Sequence, residues 1–116
     1  MTASIRLEEK QIELDGRSWT LRVNMAVLDR LQENNGGDIG ALLQKSVNEG
    51  LAEILAAMLN DWAEDQGWPE DWTTRKVKKN FSLRMLNELD ILGMFRRAMA
   101  PAGAEKEPSP GEKPGN

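Results

Sequence analysis

Apolar and polar residues alternate with a period of two on both sides of Asp15-Gly16. Ile12 and Leu14 precede the dipeptide, and Trp19, Leu21 and Val23 interleave with Ser18, Thr20 and Arg22 after it. Alternation sends successive side chains to opposite faces of a strand, and Gly accepts the positive φ of a tight turn. The segment therefore predicts a β-hairpin. Ile5 and Leu7 extend the first strand toward the N-terminus, while the polar run 8–11 predicts a bulge or a frayed stretch in it.

Two strands alone are marginal in water, so Trp19, Leu21 and Val23 need apolar cover. The period then changes to that of a helix. Asn24 is placed to cap a stripe of Ala26, Val27, Leu28 and Leu31, which Asn34, Asn35, Gly36 and Gly37 terminate. Asp38 caps a short helix carrying Ile39, Leu42 and Leu43. A longer one follows over 47–63, where Leu51, Ile54, Leu55, Met58, Leu59 and Trp62 recur at i, i+3, i+4 and so predict one buried face. Gly50 costs about 1 kcal/mol against Ala in a helix and marks a place where the first turn breaks. Thr73 or Thr74 caps a helix through Val77 and Phe81. Ser82 caps a last helix bearing Leu83, Leu86, Leu89, Ile91, Leu92, Met94, Phe95 and Met99, an apolar face too broad for a single seam. The expected architecture is α+β: an N-terminal β-hairpin packed on a small bundle of four or five helices, as one domain over 1–100. Residues 101–116 are rich in Pro, Gly and charge and bury too little to offset their ordering entropy; they predict a disordered tail or linker.

Composition narrows the function. The chain has no Cys, His or Tyr, which excludes disulfides, thiolate or imidazole metal sites and a Ser-His-Asp triad. It shows neither a secretory leader pattern nor an apolar run near the roughly 20 residues that span a bilayer, so a cytoplasmic protein without membrane contact is expected. Asp61, Glu64 and Asp65 share a helix face at i, i+3, i+4. Mg²⁺ or Ca²⁺ binding there is the minority reading against a solvated helix end, and no cofactor, metal or catalytic activity is expected. A net charge of −4 argues against general attraction to phosphate backbones. Arg75, Lys76, Lys78 and Lys79 are a local exception whose default reading is a solvated helix side.

The remaining candidates are partner-binding residues. Trp62, Trp68 and Trp72 stand in an acidic segment around Gly67-Trp68-Pro69. Trp62 is assigned to the core, while Trp68 and Trp72 divide evenly between core and binding anchor. Met94, Phe95 and Met99, on the broad-faced last helix, are expected to stay exposed for a partner or a second copy of the chain.

The order of strand, Asp15-Gly16, strand, then a helix entered through Asn24 and reading Asn24-Met-Ala-Val-Leu-Asp-Arg-Leu31, followed by a helical remainder, resembles the tail assembly chaperones of long-tailed bacteriophages and prophages. The resemblance implies a non-catalytic protein of the bacterial cytoplasm. It implies binding to the tape-measure protein during tail assembly, with tail tube protein as a further partner of a frameshifted, longer product. Two other readings remain open: a different phage structural or head-tail connector component, and a small nucleic-acid-binding regulator using residues 75–79 with Arg84, Arg96 and Arg97.

Overall fold

A computed structural model describes residues 8–100. Ile5 and Leu7 of the expected first strand, and the whole of the expected tail over 101–116, lie outside the described residues. Among the described residues, strands β1 (Glu9–Leu14) and β2 (Arg17–Arg22) form a two-stranded antiparallel sheet, followed by six helices: α1 (Met25–Glu33), α2 (Ile39–Leu43), α3 (Val47–Gln66), α4 (Thr74–Asn80), α5 (Leu83–Glu88) and α6 (Ile91–Met99). The class is α+β, as the sequence predicts.

Asp15 and Gly16 have φ of 55° and 75°. This is the doubly left-handed pair of a two-residue hairpin turn whose twist suits the strands it joins. Pairing runs without interruption from Leu14↔Arg17 to Glu9↔Arg22, so the bulge or fraying expected at 8–11 is absent from β1. The polar side chains there alternate outward, and the ladder needs only their backbones.

Four helix starts carry the caps the sequence predicts. Side chains of Asn24, Asp38, Thr73 and Ser82 accept from the backbone N–H of Val27, Gly40, Lys76 and Met85. These bonds satisfy N–H groups that a helix leaves without an internal partner.

Helix α3 departs from expectation. Every residue from 51 to 59 is buried, Glu53 included, so the helix is covered all round and not on one face. β2, α1, α4 and α6 all pack on it. Ala52, Ala56 and Ala57 supply the small side chains that let neighbours approach. The helix runs unbroken through Gly50, whose N–H bonds to the Ser46 carbonyl at 2.8 Å. It ends three residues later than expected, at Gln66, where the N–H groups of Gly67 and Trp68 bond back to the carbonyls of Glu64 and Ala63.

The expected single last helix is two helices. Asp90 takes φ 59°, a left-handed conformation that Asp tolerates better than most residues, and the chain turns there between α5 and α6. Its carboxylate folds over Gly93, where a β-carbon would collide with it. The broad apolar face is thus two narrower faces in different phase, and Leu86 from one and Ile91, Met94 and Phe95 from the other meet the same core.

Candidate functional site

The acidic, Trp-rich stretch is a clasp. Trp19 on β2 is fully buried, with Trp68 edge-on at 4.9 Å between ring centroids and Trp72 at 6.1 Å. Aromatic pairs in this geometry contribute about 0.5–1.5 kcal/mol beyond the area they bury. The guanidinium of Arg17 lies 4.0 Å from the Trp68 ring centre and ion-pairs with Glu70; the Lys76 ammonium lies 4.4 Å from that of Trp72. Asn60 holds the loop to α3 by donating to the Trp72 carbonyl at 2.8 Å and accepting from its N–H at 2.7 Å. Trp72 is therefore core. Trp68 is half-buried between an indole and a guanidinium, and neither stands free as an anchor.

The carboxylate face on α3 is also spoken for. Arg22 binds Asp61 and Asp65 together, Asn24 donates to Asp61 at 2.9 Å, and Arg30 pairs with Glu64 at 2.6 Å. Burial works against the charge on Arg22, but its hydrogen bonds to Asp65 and Asp61 outweigh that and raise its pKa. The face joins β2 and α1 to α3. Among the described residues no three acidic groups converge on a point where a metal ion would sit. Glu53, inside α3, accepts from Lys45 at 2.6 Å and Asn35 at 2.7 Å, which binds both loops around α2 to the central helix.

The residues expected to be exposed on the last helix are mostly not. Met94 is 2% exposed and Phe95 0%, so both correct to core positions; Met99, at 39%, remains accessible near the end of α6. The expectation failed because a face too broad for one helix was read as surplus surface, when it belongs to two helices that each bury their own part.

Part of the exposed apolar surface lies on α5. Of its six residues only Leu86 is buried, while Leu83 and Met85 are 45% and 43% exposed. A groove of about 290 Å³ runs along one side between α3, α4 and α5, lined by Ala52, Val77, Phe81, Leu83 and Leu86 together with the polar Asn48 and Lys78. A second, of about 220 Å³, lies between β1 and α5, lined by Ile12, Leu14, Phe81, Met85 and Leu89 together with the acidic Glu13 and Glu88. Phe81 contributes to both. Each groove is open and smaller than the roughly 300–1,000 Å³ of a typical small-molecule site, a size that suits a few inserted side chains. Sequence reading put Leu83 on the apolar face of the last helix and named neither Leu83 nor Met85 as a partner-binding candidate.

Three further apolar residues are more exposed than Leu83 and Met85: Met25, and Leu43 and Val47, which line a third groove of about 130 Å³ with Leu42, Leu51, Ile54 and Leu92. Among the described residues no helix is long and apolar enough to cross a membrane. Comparison with protein-family models, with curated proteins and with solved structures finds no match.

Proposed function

We propose that the chain is a non-catalytic protein-binding module of the tail-assembly-chaperone kind, holding apolar helices of a phage tape-measure protein in the cytoplasm of the bacterial host. The observation that carries this reading is the surface around α5, a lightly buried helix with Leu83 and Met85 exposed and an apolar groove on each flank. Helix-in-groove recognition uses such a surface: large apolar side chains of the client at i, i+3, i+4 and i+7 enter the grooves and leave water. The order of strand, Asp15-Gly16, strand and Asn24-capped helix supports the same family. In this reading a tail tube protein would be recruited by chain beyond the α+β domain.

Co-expression with the tape-measure protein of the same phage or prophage tests the proposal. The unaltered chain is expected to keep that protein soluble. Replacing Leu83 and Met85 together by Asp is expected to abolish this while the circular dichroism of the chain itself stays unchanged. A tape-measure protein that precipitates equally with and without the chain would sink the idea.

A further inference from the structure

Strand β1 lies at the edge of a two-stranded sheet, and its outer side is open. In an antiparallel hairpin closed by a two-residue turn, Leu14 pairs with Arg17 through main-chain hydrogen bonds, and bonded and non-bonded pairs alternate from there. Leu14, Ile12 and Lys10 therefore bond to β2, while the N–H and C=O groups of Glu13, Gln11 and Glu9 point away from it. No other backbone group among the described residues bonds to these three. Ile12, Glu13 and Leu14 all line the groove of about 220 Å³ that faces α5. Successive side chains of a strand alternate between faces, so three consecutive residues share a groove only along the strand's edge. That edge is thus an open main-chain ladder beside an apolar trough, whose far wall is Phe81, Met85 and Leu89.

Charge selects the strand that fits there. Glu9, Gln11 and Glu13 form one exposed face of β1, with Lys10 on the other. Glu9 and Glu13 make no ion pair among the described residues. Arg22, directly across from Glu9 on β2, is turned to Asp61 and Asp65 instead. We infer that β1 takes an additional strand from a partner protein, an extended segment in which basic residues alternate with apolar ones. In antiparallel addition its basic side chains lie across from Glu9, Gln11 and Glu13, and its apolar ones fall on the face of Ile12 and Leu14, over the trough. A second copy of β1 is disfavoured by the same rule, since in the register centred on Gln11 it would set Glu9 against Glu13. The inference goes beyond the helix-binding reading and does not depend on it: the groove between α3, α4 and α5 is untouched.

The test uses the full chain and two labelled peptides of about ten residues, long enough to run the length of β1. One alternates Val with Lys, its twin Val with Glu. Fluorescence anisotropy is expected to show the Lys peptide binding about tenfold tighter, the effect of attractive cross-strand pairs at Glu9 and Glu13 where the twin has repulsive ones. The preference is expected to reverse in the Glu9→Lys, Glu13→Lys double variant, whose circular dichroism should match that of the unaltered chain. Methylating the main-chain nitrogens of the Lys residues, which face β1 in antiparallel pairing, is expected to abolish binding, whereas methylating those of the Val residues should leave it. Methylation that acts equally at both sets would overturn strand addition, and equal affinity of the twins would overturn the basic preference. No binding of either peptide would remove the inference and leave the helix-binding reading standing. A concentration-dependent dimer of the chain that excludes the Lys peptide would assign the edge to a second copy and remove it too.

Discussion

The Trp19 end of the molecule and the α5 edge are built from the same kinds of residue and packed to different degrees. Around Trp19 on β2, the loop between α3 and α4 contributes two further indoles. Cations from Arg17 and Lys76 sit over those rings, and Asn60 locks the loop backbone in place. Around α5, a six-residue helix buries one side chain and leaves grooves on both sides. Trp, the side chain sequence reasoning associates most readily with binding, is spent on the scaffold. Unfilled apolar surface appears where an element is too short to close its own packing. A large aromatic marks a binding anchor only if nothing within the fold already covers it.

That contrast should be sharpest in stability. Trp19→Ala empties the centre of the clasp and is expected to cost about 3–5 kcal/mol, measured by urea unfolding, whereas Leu83→Ala or Met85→Ala should stay within about 0.5 kcal/mol of the unaltered chain. A severe loss from the α5 substitutions would show that edge to be as integral as the clasp. Next in size is Asp61→Ala, which leaves Arg22 and Asn24 without their shared buried acceptor. It is expected to cost about 1–3 kcal/mol, against about 0–1 kcal/mol for Glu64→Ala at the exposed Arg30 pair. Equal losses would mean that burial does not separate the two contacts.

Smaller and opposite in sign is Gly50→Ala. A β-carbon there meets the Leu42 carbonyl oxygen at an ordinary 3.7 Å, so the substitution should stabilise by about 0.5–1 kcal/mol, read as a raised Tm. A lowered Tm would reveal a crowding that the geometry does not contain.

The smallest expected effect is the pH dependence of exposed ion pairs. A hydrogen bond from Arg97 holds the carboxyls of Glu8 and Asp90 below their ordinary values, and one from Lys78 does the same for Glu49. A carboxyl lowered on folding contributes stability that is fully present above its unfolded pKa and is lost as pH falls through the folded value. Unfolding midpoints should therefore decline below about pH 4.5, and high salt should shrink the decline. Arg97→Leu should remove the part due to Glu8 and Asp90, and an unchanged acid limb in that variant would assign the dependence elsewhere.

Local chemistry was readable wherever neighbours along the chain decide it. The hairpin turn follows from Asp15-Gly16, and four helix starts follow from Asn24, Asp38, Thr73 and Ser82, because a turn or a cap is satisfied within a few residues. The α+β class follows from the change of period after Val23. Other features were settled only in three dimensions. Period shows which side chains avoid water but not how many neighbours will cover them. An apolar stripe on α3 became a helix buried all round, and one broad face became two helices hinged at Asp90. The fates of Met94, Phe95 and Trp72 were set in the same way, by elements far along the chain arriving to cover them. Leu83 and Met85 were left exposed because no element arrived, and a pattern of residue types carries no record of that.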